Sequence, residues 1–300
     1  MGQTYLAIVN PAAGGGRNRK LLGPALERLK AGGIDVKVAT THRPGDASNI
    51  AREAYSRGVR DFIAVGGDGT SYELVNGLFP EAIGKEPPTL GFLPLGTGNS
   101  FLRDFSDKGV EYAIESLLGG RSRACDVLRL KHREGTIYFT NLLSMGFTAD
   151  VATLRARSFS SWGELGYVTS IFLTLARFNR RPFPMRIERN EDFDRRPSLF
   201  LTFNNSKFTG GTMMIAPQAE INDGLIEYVR WGPIGRAGLI RNLPTLYDGT
   251  HIHHPLAEHK AVASVEFQLK EPVDVMVDGE VLTLHCEAMD VLPQALNVVA

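Results

Sequence analysis

Three short apolar runs, at residues 5–9, 62–65 and 90–93, each end in a glycine-rich turn, and helical spacing follows the first two turns. Leu21, Leu22, Leu26 and Leu29 are spaced as on a helix that Gly32 and Gly33 stop. Ile34, Val36 and Val38 alternate as a strand does, residues 47–57 read as a second helix ended by Gly58, and residues 71–78 as a third. This βαβα rhythm implies a parallel sheet covered by helices. Ligands on such sheets bind beyond the carboxyl ends of the strands, where all three turns fall.

After about residue 129 the rhythm changes. Segments 137–143, 185–188, 199–203, 225–229, 262–269, 273–277 and 281–286 read as strands, and only 154–178 and 234–248 as helices. The expectation is an α/β N-terminal domain with a parallel sheet at residues 1–128 and a β-rich, antiparallel, sandwich-like domain at 129–287. Three hundred residues fit two domains at a prior of ~150 each. No long linker separates them, so they should meet across a cleft.

Composition narrows the partners. Lys plus Arg and Asp plus Glu are 33 each, so the basic surplus behind non-specific nucleic-acid binding is missing and no nucleic acid is expected. Cys125 and Cys286 are too few for a disulfide scaffold or a four-thiolate zinc site, and read as reduced thiols of a cytoplasmic enzyme. The N-terminus lacks a signal-peptide pattern, and Leu6 stands where a myristoylation signal needs Ser or Thr. The most apolar helix-length stretch, 167–178, contains Thr and Arg and falls short of the ~20 apolar residues of a membrane span.

Gly66, Gly67, Asp68, Gly69 and Thr70 form the strongest local signal, a strand running into GGDGT and then a helix. Three glycines let backbone N–H groups converge on phosphate oxygens, and the helix adds its positive end. Asp68 alone would repel phosphates, so a divalent cation is implied between them. The plainer reading is a glycine-rich turn with a capping Asp. Two further loops, at residues 10–16 and 96–99, sit at the ends of neighbouring strands. Neither the Walker pattern nor the dinucleotide fingerprint is present, so a nucleotide site here is of another design.

Asp278-Gly279 lies between alternating apolar residues, Val273, Val275 and Val277 before it and Leu282, Leu284 and Cys286 after it. That is a hairpin signal, equally compatible with a plain turn and with a tip that holds carboxylates over a cleft. Asn222-Asp223-Gly224 reads either as a turn or as a site for a hard cation. His251, His253, His254 and His259 lack metal-ligand spacing, and an exposed loop is expected there.

Taken in order, these motifs resemble the diacylglycerol kinase catalytic domain, a superfamily that includes bacterial lipid kinases, sphingosine kinases and ceramide kinases. The resemblance rests on Asn10-Pro11 with its glycines, GGDGT and Pro94-x-Gly96-Thr97-x-Asn99. It continues through Cys125-Asp126-Val127, residues 141–147, Gly210-Gly211, Ala216-Pro217-x-Ala219, residues 222–225 and Val277-Asp278-Gly279-Glu280. GGDGT alone is shared with NAD kinases and phosphofructokinases.

The resemblance implies an ATP- and Mg-dependent kinase acting on a hydroxyl of a membrane lipid. ATP would meet Asn10, Pro11, Ala12, Ala13, Gly14, Thr41, Gly67, Asp68, Gly69, Thr70, Ser71, Tyr72, Glu73 and Thr97. Asp68 and Asp126 would order the metal, and Asp223 with the carbonyls of Glu220 and Leu225 would form a structural metal loop. Asp278 and Glu280 would activate the acceptor, with Glu280 as base. Residues 288–300 would return to the first domain. Ser100 departs from the Asp that many bacterial members carry there, which puts the metal network in question. It also keeps open a catalytically weak, regulatory nucleotide- or lipid-binding protein, ahead of a soluble-substrate kinase of the NAD kinase type.

Residues 151–190 carry seven Arg against Glu164 and Glu188, interleaved with Phe159, Trp162, Tyr167, Phe172, Phe178 and Phe183. Either this stretch rests on an anionic bilayer surface, giving a cytoplasmic protein peripheral contact with membrane, or it packs its aromatics inward and solvates its Arg.

Overall fold

A computed structural model of the chain describes residues 4–16, 18–95, 99–158, 169–170, 173–174, 180–187 and 192–300. In the first part, strands and helices alternate: β1 (Thr4–Val9), α1 (Asn18–Ala31), β2 (Asp35–Thr40), α2 (Asp46–Ser56), β3 (Asp61–Val65), α3 (Asp68–Leu78), β4 (Thr89–Leu93) and α4 (Val110–Gly119). The strands pair in parallel in the order β2-β1-β3-β4. Val9 lies opposite Thr40 and Val65, and Val65 opposite Leu93. Asn10, Thr41, Gly66 and Pro94 therefore leave the sheet at one level. Hydrogen bonds carry this alignment past the strands: Asn10 N–H to Val65 C=O (3.0 Å), Thr41 N–H to Val9 C=O (2.9 Å) and Gly66 N–H to Leu93 C=O (3.2 Å).

Ile8, Leu29, Phe62, Ile63, Leu74 and Leu117 belong to the core that fixes the helices on this sheet. Helices α2 and α3 approach so closely that a side chain at Gly77 would collide with the backbone of Ser48. Helix α3 begins at Asp68, three residues ahead of the expected start, so Asp68 and Gly69 form its first turn.

The remainder is mostly strand. β5 (Ser122–His132) and β6 (Gly135–Phe139) form a hairpin, followed by β7 (Leu142–Gly146) and α5 (Phe147–Ser158). Short strands β8 (Arg181–Pro182), β9 (Met185–Arg186) and β10 (Pro197–Ser198) precede β11 (Phe200–Asn204). After it come β12 (Phe208–Thr209), β13 (Met213–Met214) and β14 (Ile226–Trp231), then helices α6 (Arg236–Asn242) and α7 (Thr245–Asp248). The last strands are β15 (Ala257–Val262), β16 (Ser264–Phe267), β17 (Val273–Val277), β18 (Glu280–Leu284) and β19 (Cys286–Val299).

Six of these form an antiparallel sheet, β15-β14-β11-β7-β17-β18. The parallel sheet itself extends through β19 to β16 and β9, with β5 and β6 joined through β19. Leu128, Leu143, Phe203, Tyr228, Val265 and Val275 share the apolar core that this sandwich encloses. Asn297, Val298 and Val299 run parallel to β4, while the whole of β19 runs antiparallel to β5. A single strand thus belongs to both halves.

Five expectations change in detail. The run at 137–143 divides into β6 and β7 at Thr140 and Asn141, and the run at 262–269 divides between β15 and β16. The helix expected at 234–248 breaks into α6 and α7 around Pro244, which has no N–H for the helical ladder. The helix expected from 154 begins at Phe147, and most of 159–178 lies outside the described residues. His251, expected in an exposed loop, is 1% exposed. Its ring packs against Trp231, and Nδ1 and Nε2 face the carbonyls of Thr245 and Ile215 at 3.2 and 3.0 Å.

Candidate active site

The loop after β1 is shaped by its own polar groups. Asn10 Oδ1 accepts the Ala12 N–H (3.0 Å), and the Asn10 carbonyl accepts from Asn18 Nδ2 (2.9 Å). Ala13 through Gly16 form a short turn in which Gly14, Gly15 and Gly16 have φ of 62°, 64° and 84°. A side chain would be strained at each, and open space lies beside Gly15 and Gly16. Pro11, Ala12 and Ala13 complete this rim. Thr41 is buried, its Oγ1 donating to the Val9 carbonyl at 3.3 Å.

Other residues of the expected nucleotide set serve the scaffold. Glu73 accepts the Gly45 and Ala47 N–H groups (3.0 and 3.1 Å) and so caps α2. Tyr72 packs against the sandwich core, and burial raises its phenol. Thr70 and Ser71 are buried in the first turn of α3, their N–H groups donating to the Gly67 carbonyl (3.0 and 3.3 Å). Thr97 lies outside the described residues.

Asp68 stands where the two halves meet. Its Oδ1 accepts the Ser100 N–H (3.0 Å) and its Oδ2 the Ser100 hydroxyl (3.3 Å). Ser100 Oγ in turn accepts the Gly211 N–H (3.1 Å), which ties the α3 side of the cleft to the β12–β13 turn. Burial, reinforced by the nearby Asp278 and Glu280 charges, pushes the Asp68 carboxyl up to about 7 despite the bonds from Ser100.

Over Asp68 sits the β17–β18 hairpin. Val277 pairs with Glu280, leaving Asp278 and Gly279 as a two-residue turn with φ of 46° and 88°, the mirror-image turn that an Asp-Gly pair favours. Asp278 turns inward. Its Oδ2 accepts the Thr140 N–H (3.0 Å), and its Oδ1 the N–H groups of Asn141 (3.0 Å) and Leu142 (2.9 Å). These amides flank the break between β6 and β7, so the carboxylate completes hydrogen bonds that the broken strand leaves open. Burial holds the Asp278 carboxyl up at about 6 against these bonds.

Glu280 turns the other way. It is exposed, and a Cβ on Gly69 would collide with its Oε1, so this carboxylate lies directly over the first turn of α3. Desolvation and the Glu73 charge raise its carboxyl above the usual range. A Cβ on Gly279 would come within 3.6 Å of Asp68 Cβ. The backbone of GGDGT and the hairpin tip are therefore in contact, although 208 positions separate Gly69 from Val277. Of the three expected catalytic carboxylates, Asp68 and Glu280 face this junction and Asp278 anchors it.

Asp126, within β5, holds a different turn. Its Oδ2 accepts the Gly224 N–H and its Oδ1 the Gln294 N–H, both at 2.7 Å, and burial, with the Asp223 charge, raises its carboxyl. Asp223 is exposed and its Oδ1 accepts the Leu225 N–H (2.9 Å). Glu220 is exposed nearby. Among the described residues no three His, Cys, Asp or Glu side chains cluster to hold a metal unaided.

A cavity of ≈ 610 Å³ opens from the junction. Asp68, Gly69, Ser100 and Glu280 line one part of it. Leu142, Phe147, Val151, Phe200, Met213, Leu239, Leu243, Leu246, Tyr247 and Met276 supply its apolar wall. Sequence reading missed this wall, because its residues come from β7, α5, β11, β13, α6, α7, the break between those two helices, and β17, and share no local pattern.

Residues 4–130 match the diacylglycerol kinase catalytic domain family, and residues 141–300 match the YegS C-terminal NAD kinase beta sandwich-like domain family. The chain belongs to the diacylglycerol kinase family of lipid kinases. A diacylglycerol kinase of Mycobacterium tuberculosis (strain ATCC 25618 / H37Rv) is 27% identical, over 97% of this chain and 93% of its own length. A protein of Escherichia coli O9:H4 (strain HS) named "Probable lipid kinase YegS" is 30% identical, over 91% and 89%. The crystal structure of a diacylglycerol kinase from Bacillus anthracis str. Sterne shares the fold, with a TM-score of 0.73 at 21% identity over 99% of this chain and 96% of that one. In this chain the catalytic-domain match spans the loops at the edge of the parallel sheet, and the second match begins at Asn141, one of the amides that hold Asp278.

Proposed function

We propose that this lipid kinase transfers the γ-phosphate of ATP, with Mg²⁺, to a hydroxyl of a membrane lipid such as diacylglycerol or a sphingoid-type lipid. One observation supports this above the others: the same cavity has Asp68 and Glu280 at one part and a mainly apolar wall beyond them. A primary hydroxyl attached to long chains matches such a space. A polar dinucleotide acceptor leaves the apolar wall without a partner, which disfavours a soluble-substrate kinase.

The glycine-rich backbone loops of residues 10–16 and 66–70 are the phosphate-facing surface, backed by the N-terminus of α3. Asp68 fits a hard cation. Its carboxyl is raised by burial and then by the Asp278 and Glu280 charges, which a cation would offset, and Mg²⁺ needs only one or two protein carboxylates when phosphates and water complete its shell. A divalent ion held there would neutralise charge on the transferring phosphoryl group.

Glu280 is the general base. Its carboxylate is exposed at the junction, whereas Asp278 is engaged by three amides and acts as a positioning residue. The acceptor oxygen bonds to the γ-phosphorus, and the bond from that phosphorus to the β–γ bridging oxygen breaks. ADP leaves with that electron pair, and the hydroxyl proton passes to Glu280.

The test is transfer of labelled γ-phosphate to a panel of lipids in mixed micelles, with NAD alongside as a soluble acceptor. Labelled lipid is expected. ATP binding without any lipid product would instead indicate a regulatory binding protein, and labelled NADP would indicate the soluble-substrate reading.

A further inference from the structure

Helices α6 and α7 are two-sided. Leu239, Leu243 and Leu246 face inward and line the cavity. Ile240 and Tyr247, 53% and 49% exposed, lie outward on the same helices, and Tyr247 both lines the cavity and meets solvent. The cavity therefore reaches the surface at this helix pair.

The surroundings are cationic. Arg236 and Arg241 are exposed on α6, and the exposed Arg180 lies beside Gly235 at the start of the helix. Asp248, at the end of α7, accepts the N–H and the hydroxyl of Thr250 (2.9 and 2.6 Å) and is one carboxylate against these three Arg. Exposed apolar side chains ringed by guanidinium groups are the surface that an anionic bilayer attracts and then partly buries.

We propose that α6 and α7 form the membrane-docking surface, seated on an anionic lipid bilayer so that the cavity mouth at Tyr247 opens into it. The inference rests on the lipid-kinase reading for its purpose but stands on its own observations. From the stretch at 151–190 it takes Arg180, and most of 159–179 lies outside the described residues. Within that stretch Phe183 is 3% exposed, and Arg181 and Arg186 are paired with Asp150 and Glu266.

The experiment is co-sedimentation of the full chain with phosphatidylcholine vesicles, with and without phosphatidylserine, comparing the wild type with Ile240→Asp and Arg241→Glu. Both residues are exposed and outside the cavity lining, so unchanged thermal unfolding is expected. Wild type should sediment with the anionic vesicles. Arg241→Glu should weaken binding about tenfold and Ile240→Asp by a similar factor, while salt should weaken the wild type. Turnover of a short-chain acceptor below its micelle concentration should stay unchanged in both variants. Wild-type binding that ignores phosphatidylserine, or variants that sediment like the wild type, would overturn the docking surface. Absence of turnover on the soluble short-chain acceptor by the wild type would count against the kinase reading alone, because sedimentation does not depend on it.

Discussion

At the edge of the parallel sheet four strand ends in register present mainly backbone, whereas the cavity beside them is walled by side chains from seven separate elements. The edge needs glycine, because only a bare backbone brings N–H groups close to phosphate oxygens. The cavity needs volume and apolar surface, which any large hydrophobic residue supplies. Chemistry at the edge is thus confined to few sequences, while the cavity wall is free to vary in identity. Their meeting point, where Glu280 lies over Gly69 and Ser100 bridges Asp68 to Gly211, is where both kinds of constraint act on the same atoms.

Perturbing that meeting point should have the largest effect. Glu280→Ala is expected to lower kcat by about 10²- to 10⁴-fold while leaving nucleotide affinity unchanged, measured by phosphate transfer and equilibrium ATP binding. Activity within a few-fold of wild type would remove Glu280 from the chemistry. Next comes Gly69→Ala, whose new methyl group must displace the Glu280 carboxylate. A loss of roughly tenfold to a hundredfold in kcat is expected from misplacement alone. Were the loop to act only through ATP contacts, the same variant would change the ATP KM instead.

The cavity side predicts a different signature. Leu243→Trp should lower kcat/KM for a long-chain acceptor by about tenfold or more, with the ATP KM unchanged, because volume lost from the wall competes with acyl chain. An equal loss for a short soluble acceptor would contradict the division between edge and wall. Ser100→Ala removes one hydroxyl bond to Asp68 and the acceptor for Gly211, a change of about 1 kcal/mol or roughly fivefold in rate. A last effect is on stability. The Asp68 carboxyl, ordinarily at 3.8, is pushed up to about 7 by burial, so the folded chain holds that proton more tightly than the unfolded one. At this site stability is greatest below the unfolded value and falls as pH rises through the folded one. Asp68→Asn escapes that loss, so its Tm relative to wild type should climb between pH 4 and 7, by differential scanning calorimetry. A flat difference would show that Asp68 is not desolvated.

What the sequence alone reveals follows the same division. GGDGT after an apolar run, and Asp-Gly between alternating valines and leucines, are legible because both conformations demand particular residues in consecutive positions. The hairpin at Asp278 and Gly279 is the expected one, with both residues at positive φ. That Asp278 would turn inward was not legible. Its partners are amides exposed by a break between β6 and β7, inside a run that reads as one strand. His251 misled for a related reason, since its burial depends on Trp231 and on two carbonyls of other segments. Leu239, Leu243 and Leu246 looked like ordinary helix residues, and only the packing of α6 and α7 turns them toward Glu280. Ser100 departs visibly from the family pattern, but its bridge to Gly211 depends on the contact between the two halves.

The most direct test is a crystal structure with a non-hydrolysable ATP analogue, Mg²⁺ and a long-chain diacylglycerol. The account predicts the acceptor hydroxyl within hydrogen-bond reach of Glu280, the γ-phosphate over the first turn of α3, and the acyl chains along Leu239, Leu243 and Leu246. Acyl chains lodged elsewhere, or a hydroxyl remote from Glu280 with the nucleotide in place, would contradict it.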